Sequence, residues 1–347
     1  MHLIGLDFEK LKYQHNGLYT FCLQLGQRLL QYKQEDERLL YYLPKDFNLF
    51  NGNFEKISYK WYDRYFFNPP KMDVWHAVHQ TGNVWPRKKA KSTILTIHDL
   101  NFLFDDRKSS AEKNRLLKEM QQQVDETDIV VAISKFTLQT IHQHIKVPED
   151  KCRIIYQGSE VKEFPGFDTP AYRPAKPFLF SIGMILPKKN FHVLPALLEH
   201  NDYELIIAGK QQGDYIKKIE EEAAASGVSN RVKLLGTITD EEKYWYYKNC
   251  KAFMFPSIAE GFGAPVVEAM HFGKPVFLSD KTSLPEIGGD AAYYFRSFDK
   301  TEMQQVFEEG IQHFARHQPV AAVQQHAKLF SWDTNAKEYM KLYRSMY

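Results

Sequence analysis

The sequence contains few cysteines and no apolar run long enough to cross a bilayer. Its 347 residues include three cysteines, Cys22, Cys152 and Cys250, which are far apart and form no Cys-x-x-Cys pair. We therefore expect neither a disulfide framework nor a zinc knuckle, and this cysteine usage fits a reducing cytoplasm. No apolar stretch reaches the roughly 18 residues that a membrane-spanning helix needs, and residues 1–7 lack the layout of a signal peptide.

The charges are almost balanced, and two common fingerprints are absent. The chain has 45 Lys and Arg residues against 43 Asp and Glu residues, a net charge of +2, which argues against a dedicated nucleic-acid binder. No Gly-x-Gly-x-x-Gly follows a first strand, so the alternative of a dinucleotide-dependent oxidoreductase lacks its motif. No Asp-x-Asp triplet occurs anywhere in the chain. The 44% of hydrophobic residues is typical of a globular protein, and the length suggests about two domains.

Strand-like and helix-like segments alternate along both halves of the chain. The first half begins with a strand over residues 2–8 and a helix over residues 17–30, and the alternation restarts near residue 178. Between the halves, residues 157–177 contain several prolines and glycines without periodicity, which is typical of a linker. This pattern predicts an α/β fold with two Rossmann-like domains that face one cleft. The predicted boundaries are 1–160 for the first domain, 161–330 for the second and 331–347 for a final helix.

The most informative stretch is Glu260-Gly261-Phe262-Gly263-Ala264-Pro265-Val266-Val267-Glu268. It follows a short apolar run typical of a buried strand, and Pro265 suits the first turn of a helix. Gly261 and Gly263 let a ligand approach the backbone closely, and amides at a helix N-terminus attract an anion. Carboxylates on either side of those amides could accept hydrogen bonds from sugar hydroxyls, which suits a nucleotide-sugar. Two solvated surface glutamates would show the same spacing, and the stretch alone does not separate these alternatives.

Two further segments lie where predicted strands end. Gly183 ends one strand, and Lys188 and Lys189 precede a helix that we predict over residues 190–199. Because helix N-termini prefer acidic residues, two lysines there suggest a bound anion; solvated surface lysines are the alternative. His98 follows another strand directly, where an imidazole could bind a sugar hydroxyl or transfer a proton. A structural histidine would fit that position equally well.

The first half also contains an aromatic-rich segment, residues 41–67, and a basic run, residues 87–91. Most of the rings are expected to pack in the core or its loops, although rings also stack on sugars and settle at membrane interfaces. The basic run could meet anionic lipid headgroups, and a solvated loop would explain it as well. Residues 76–80 follow a strand and could face an acceptor.

Taken together, these motifs resemble those of the family 4 (group 1) retaining glycosyltransferases of GT-B fold. Glu260 and Glu268 match the Glu-x7-Glu motif of that family, and further segments follow its pattern in the same order: residues 97–100, 132–136, 187–190, 235–238 and 330–332. The resemblance covers most of the chain. It implies two Rossmann-like domains facing a central cleft, the first for the acceptor and the second for the nucleotide-sugar, with the C-terminal helix crossing back to the first domain.

The resemblance also implies a role for each matching residue. Glu260 would bind hydroxyls of the donor sugar, Glu268 those of the ribose, and Lys189 would neutralise the leaving diphosphate. His98 would lie near the donor sugar and the acceptor oxygen, so His98, Lys189 and Glu260 are the expected catalytic residues. Other donor contacts would come from the remaining residues at these strand ends: Gly17, Gly183, Lys188, Gly236, Ile238, Gly261, Phe262, Gly263, Ala264 and Pro265.

Two positions depart from the family pattern. The family often has an arginine after the glycine that corresponds to Gly183, whereas this chain has Met184, so part of the phosphate clamp is either missing or supplied by Lys188. The glycine-rich N-terminal loop of the family is reduced here to His15-Asn16-Gly17-Leu18, with one glycine.

The implied reaction is transfer of a hexose from a nucleotide-diphospho-sugar to a hydroxyl of a saccharide or lipid-linked acceptor, with retention of the anomeric configuration. The related GT-A enzymes hold a metal through Asp-x-Asp, so its absence agrees with a site that needs no metal and no cofactor. We expect a cytoplasmic enzyme of cell-surface polysaccharide synthesis, with peripheral contact to the inner face of the membrane as a further hypothesis. A non-catalytic nucleotide-sugar-binding subunit that supports a partner transferase is the alternative. Mannose on guanosine diphosphate and glucose on uridine diphosphate are the first donor hypotheses.

Overall fold

The computed structural model describes residues 1–13, 17–82, 84–105 and 107–347, and in it the chain divides into two units. The first unit comprises Met1–Gly158 and Ser331–Tyr347, and the second comprises Ser159–Phe330. We expected the boundary after residue 160, and the structure places it after Gly158. Each unit contains one parallel sheet, as the alternation of strands and helices predicts.

The first unit is built on a seven-stranded sheet in the order β3-β2-β1-β4-β5-β6-β7. Its strands are β1 (His2–Asp7), β2 (Glu37–Leu43), β3 (Glu55–Ser58), β4 (Met72–Ala77), β5 (Ala90–Ile97), β6 (Ile129–Ala132) and β7 (Cys152–Ile154). The helices that follow them are α1 (Gly17–Tyr32), α2 (Asp63–Phe66), α3 (Ser110–Asp125) and α4 (Lys135–His144). Because parallel strands bury both faces, α1 contributes to one apolar cluster while α3 and α4 contribute to another.

The second unit is built on a six-stranded sheet in the order β10-β9-β8-β11-β12-β13. Its strands are β8 (Phe178–Ile182), β9 (Glu204–Ala208), β10 (Val232–Gly236), β11 (Ala252–Phe255), β12 (Val276–Ser279) and β13 (Tyr293–Phe295). Its helices are α5 (Tyr215–Ala225), α6 (Asp240–Asn249), α7 (Ala264–His271), α8 (Leu284–Gly288), α9 (Lys300–His317) and α10 (Val320–Ala327). The strand order reverses next to β8, so β8 and β11 are neighbours although two strands separate them along the chain. Ligands in such sheets bind beyond the carboxyl ends of the strands at this point.

The last helix, α11 (Trp332–Arg344), returns to the first unit, as predicted. Two of its tyrosines join a buried polar network with β4 and β5. The Tyr343 hydroxyl lies 2.7 Å from His76 Nδ1, His76 Nε2 lies 2.7 Å from Thr96 Oγ1, and that oxygen lies 2.8 Å from the Tyr339 hydroxyl. His76 is therefore a buried structural residue, and for it the expectation of facing an acceptor is wrong; for the partly exposed His79 and Gln80 that expectation stays a prediction.

One other expectation about local structure is also wrong, and one strand was missed. The helix predicted over residues 190–199 is replaced by the short 3₁₀ turns Phe191–Val193 and Pro195–Leu198. Asn190 adopts a left-handed conformation with φ 57°, and Pro195 lacks the amide that would continue an α-helix. Strand β3 was not predicted, because its Glu-Lys-Ile-Ser sequence carries little apolar alternation.

Candidate functional site

The candidate donor site is built at the carboxyl edge of the second sheet. Strands β8 and β11 pair directly there, so the loops that follow them meet. The backbone oxygen of Lys188 accepts hydrogen bonds from the Ile258 amide at 2.9 Å and from Ser257 Oγ at 3.0 Å. These two bonds fix the 3₁₀ turn Pro187–Lys189 against the loop that leads to Glu260.

Lys189 and Glu260 form an ion pair within this site. Lys189 Nζ lies 2.5 Å from Glu260 Oε1, and each side chain is only 12% exposed. The same ammonium lies 4.7 Å from the centroid of the Phe255 ring at the end of β11, within the range of a cation–π contact. A carboxylate and an aromatic face therefore hold this lysine in place, so it is not one of the solvated surface lysines that the sequence left as an alternative.

The loop that carries Glu260 is braced by the segment after β12. The Glu260 amide donates to Thr282 Oγ1 at 3.1 Å, and Ser283 Oγ lies 3.1 Å and 3.0 Å from the carbonyl oxygens of Glu260 and Phe262. Thr282 has φ 54°, an uncommon backbone conformation for a β-branched residue. These contacts hold the two segments together at several points, so the uncommon backbone conformation of Thr282 can persist.

The same loop leads into the N-terminus of α7. Gly263 is the N-cap residue, with φ 103°, and Pro265 lies in the first turn, as predicted. The positive φ of Gly263 would strain any other residue, and a Cβ added there would lie 2.9 Å from Leu284 Cδ2. This position therefore requires glycine. Because glycine offers no side-chain acceptor, the N-cap residue does not cap the first amides of α7. Those amides and the helix dipole provide a site of positive potential beside Glu260.

Glu268 lies on α7 and is held by two residues of α6. Lys243 Nζ lies 3.2 Å from Glu268 Oε1, and the Tyr247 hydroxyl donates to Glu268 Oε2 at 2.9 Å. Burial opposes the charge on Lys243, but the Glu268 carboxylate, with smaller contributions from neighbours, outweighs it and raises the pKa of Lys243 above its usual range. The carboxylate is thus oriented before any ligand arrives.

Three glycines lie at the carboxyl ends of β8, β9 and β10: Gly183, Gly209 and Gly236. The Gly183 amide donates to the Ala208 oxygen at 3.0 Å, and the Gly209 amide donates to the Gly236 oxygen at 2.7 Å. All three glycines have positive φ, and a Cβ on Gly209 would lie 1.9 Å from the Gly183 oxygen. The ends of β8, β9 and β10 therefore carry no side chains at these positions, which leaves the backbone accessible to a ligand. Ile238 follows β10 and is half-buried.

His98 belongs to the first unit, where it follows β5 directly, as predicted. Its Nε2 lies 2.9 Å from the Val78 carbonyl oxygen, and its ring packs edge-on against Phe21 with centroids 4.6 Å apart. Since a carbonyl only accepts, Nε2 carries the proton and Nδ1 is an acceptor. Burial lowers the pKa of His98 to about 4. A neutral imidazole with an acceptor nitrogen suits hydrogen bonding to a hydroxyl better than acid catalysis.

Two family profiles match the chain one after the other. The profile described as Glycosyltransferase Family 4 matches residues 21–163, and the profile described as Glycosyl transferases group 1 matches residues 168–319. The chain belongs to the group 1 (family 4) glycosyltransferases.

Relatives of known name agree with this family. The serotype-specific mannosyltransferase WbdA of Escherichia coli is 30% identical over 266 residues, which are 70% of this chain and 32% of WbdA. This glycosyltransferase thus spans about a third of the length of WbdA. The O-antigen chain mannosyltransferase B of Escherichia coli is 22% identical over 376 aligned positions that cover 97% of this chain and 98% of that protein.

A solved structure shows the same fold. The sucrose-phosphate synthase of Thermosynechococcus elongatus superposes with a TM-score of 0.77, at 16% identity, over 100% of this chain and 99% of that chain. The predicted GT-B fold is thereby confirmed.

The site contains residues that the sequence reasoning missed. Lys243 and Tyr247 are four residues apart on α6 and so share one helix face, which is the signal that could have paired them with a neighbouring helix. Gly209 ends a predicted strand in the same way as Gly183 and was overlooked. Gly17 is the first residue of α1, and its expected contact with the donor stays a prediction. The adjoining residues His15 and Asn16 lie outside the described residues.

Across the ranges that the structure describes, no helix is both long and apolar enough to cross a membrane. Within those same ranges, no three His, Cys, Asp or Glu side chains converge as metal ligands do.

Proposed function

We propose that this glycosyltransferase transfers a hexose from a nucleotide-diphospho-sugar to a hydroxyl of a saccharide or lipid-linked acceptor, with retention and without a metal or cofactor. The ion pair between Lys189 and Glu260 carries the proposal. It brings a mostly buried cation from the turn after β8 into contact with a carboxylate on the loop that leads into the N-terminus of α7. A diphospho-sugar needs that combination, since it joins an anionic diphosphate to a hydroxylated ring.

The electrostatic groups match the charge that develops in the reaction. When the bond between sugar and phosphate breaks, negative charge accumulates on the leaving diphosphate. Lys189, assisted by Lys188 and the first amides of α7, would stabilise that charge without a metal ion. Glu260 would at the same time accept hydrogen bonds from the sugar, so the departing and transferred groups bind adjacent side chains.

The remaining groups suit the nucleoside end of the donor. Glu268 is already oriented by Lys243 and Tyr247 and would accept hydrogen bonds from the ribose hydroxyls. The bare backbone at Gly183 and Gly236 would let the diphosphate and base approach, and half-buried Ile238 would pack against the base. In the first unit, Nδ1 of His98 would accept a hydrogen bond from a hydroxyl of the donor sugar or acceptor.

The names of the relatives favour mannose and an O-antigen-type acceptor. Both WbdA and the O-antigen chain mannosyltransferase B are named as mannosyltransferases. We accordingly propose guanosine diphosphate mannose as the first donor to test and cell-surface polysaccharide synthesis, in the cytoplasm, as the setting.

The proposal is tested with the purified chain, a panel of nucleotide-sugars and an assay of nucleoside diphosphate release. A ligand that binds the native state raises its melting temperature, so thermal shifts identify the donor before any acceptor is known. We expect Lys189→Ala to lower kcat/KM for donor turnover by on the order of 100-fold, as for loss of one preorganised charge-stabilising group. Lys217→Ala is the control, because Lys217 is an exposed lysine of α5 in the same unit.

Each outcome has a defined meaning. A donor that binds and releases its nucleoside diphosphate only when Lys189 and Glu260 are intact supports the enzyme. Binding without turnover, with every acceptor supplied, would instead indicate the non-catalytic subunit. No thermal shift with any nucleotide-sugar would contradict the proposal altogether. Proton NMR of the product decides retention from its anomeric configuration.

A further inference from the structure

The first unit displays an unusual concentration of exposed aromatic rings. Trp61, Tyr62, Tyr65 and Phe66 lie within six consecutive residues and are 74%, 38%, 51% and 76% exposed. We call these four residues the aromatic patch. Rings of this size are normally buried, and exposed groups of them mark surfaces that bind something.

The aromatic patch is held in a defined conformation. Asp63, within the same segment, is buried, and its Oδ2 accepts hydrogen bonds from the Lys60 amide at 2.8 Å and from the Tyr42 hydroxyl at 2.9 Å. The short helix α2 follows from Asp63 to Phe66. The chain thus uses a buried carboxylate to present the neighbouring rings to solvent, which an incidental surface loop would not require.

A basic groove adjoins the aromatic patch. It has a volume of about 670 Å³ and is lined by the rings of Tyr65, Phe66 and Phe67 and by three lysines, Lys71, Lys88 and Lys89. The other lining residues are Asn68 and Pro86, so no carboxylate lies among the described residues of this groove. Nearby, the Arg64 guanidinium lies 4.5 Å from the Tyr65 ring centroid. Lys91, in contrast, is paired with Asp73 at 2.6 Å and adds little positive charge.

From this juxtaposition we propose that the aromatic patch and the basic groove dock the first unit on a bilayer that contains anionic phospholipids. Aromatic rings settle at the level of the headgroups, and the three lysines attract phosphates that the groove can accommodate. Charge complementarity favours this occupant, because the described lining of the groove combines three lysines with apolar rings and contains no carboxylate, which matches a surface with negative headgroups above an apolar layer. The surface belongs to the first unit and does not depend on the proposed transfer activity.

The test is flotation of the full chain with vesicles of phosphatidylcholine, with and without phosphatidylglycerol. We expect binding only to the vesicles with phosphatidylglycerol, and this binding should weaken as salt is raised. The triple variant Lys71→Gln, Lys88→Gln, Lys89→Gln should reduce partitioning by on the order of 100-fold. A double variant, Trp61→Ala and Phe66→Ala, should also release the protein, because it removes the rings.

The control variant carries Lys217→Gln, Lys218→Gln and Lys248→Gln, which remove the same charge from exposed positions of the second unit. It should bind vesicles as the wild type does, and melting temperatures check that all variants fold. Competition by soluble glycerophosphoglycerol as effective as that by vesicles would show a free-phosphate site and overturn the proposal. So would equal binding to both vesicle types, an equal effect of the control variant, or self-association through the aromatic patch without vesicle binding.

Discussion

Replacing Lys243 tests how the site orients its second glutamate. Lys243→Met keeps most of the side-chain volume but removes the ammonium group 3.2 Å from Glu268 Oε1. The two side chains are 18% and 16% exposed, so this pair is intermediate between a surface pair and a buried one. An exposed pair contributes at most about 1 kcal/mol and breaking a buried pair costs roughly 3–5 kcal/mol, so we expect the free energy of unfolding to fall by about 1–2 kcal/mol.

The same change should reduce the recognition of ribose. Hydrogen bonds to a charged group contribute about 1.5–3 kcal/mol, so loss of one ribose hydroxyl should weaken binding to the wild type by roughly 10-fold or more. In Lys243→Met, Glu268 keeps the bond from Tyr247 at 2.9 Å but loses the one from the lysine. Its carboxylate then samples more orientations, and the penalty for the missing hydroxyl should shrink to about 3-fold or less.

The assay is calorimetric titration of guanosine diphosphate and its 2′-deoxy and 3′-deoxy forms, or of whichever base the panel selects. Lys243→Arg should keep the penalty, and Lys248→Met is the matched control on an exposed position of α6. Suppose that removal of a ribose hydroxyl weakens binding to Lys243→Met as much as to the wild type, while it no longer weakens binding to Glu268→Gln. That result would refute the positioning role of Lys243. Equal affinity of the wild type for ribose and deoxyribose forms would refute the role of Glu268 itself.

Three further predictions concern the metal, the final helix and the histidine. Incubation with EDTA should leave donor turnover unchanged, and a large loss that Mg²⁺ or Mn²⁺ restores would contradict the proposal that the site needs no metal. Glu37→Gln should lower the free energy of unfolding by about 2–4 kcal/mol in urea titrations, because Arg344 donates hydrogen bonds to both Glu37 oxygens at 2.7 and 2.9 Å. The control Glu35→Gln, at an exposed position, should change this free energy little. Burial opposes ionisation of Glu37, yet its bonds to Arg344 and neighbours hold its pKa below the usual range. The contribution of Glu37 to the free energy of unfolding is therefore present above the ordinary glutamate pKa and is lost as pH falls through the lowered value. Since the pKa of His98 is about 4, the imidazole is neutral above that pH. Its titration should therefore add no inflection to the pH–activity profile between about pH 5 and 8. A wild-type inflection in that range that His98→Gln abolishes would contradict this prediction.

The sequence predicted most of the fold because its signals are local. Buried parallel strands are short apolar runs, as at β11, and their alternation with helices defines two sheets. The return of α11 came from the family resemblance, since no local pattern reveals which sheet a terminal helix covers. The failure at residues 190–199 has a local cause that was visible in the sequence, namely Pro195 within the predicted helix.

The candidate site was predicted less completely than the fold. Glu260 and Lys189 were identifiable because carboxylates and cations after strand ends are conspicuous, and Glu268 because of its spacing from Glu260 across a helix start. Their partners were not, since pairing between Lys243 and Glu268 depends on how α6 and α7 pack in three dimensions. His76 was misassigned because it lies on a strand, and only the packing of α11 against that strand reveals that the position is buried.

The central claim is that Lys189 neutralises the diphosphate of the donor while Glu260 binds its sugar. Calorimetric titration of guanosine diphosphate mannose, guanosine diphosphate and guanosine into wild type, Lys189→Ala and Glu260→Gln tests it most directly. We predict that Lys189→Ala weakens the binding of both diphosphates by on the order of 100-fold, as expected for loss of a mostly buried charge contact. The binding of guanosine should hardly change. Glu260→Gln should weaken binding of the sugar-bearing form more than binding of guanosine diphosphate. Unchanged affinity of Lys189→Ala for both diphosphates would contradict the account.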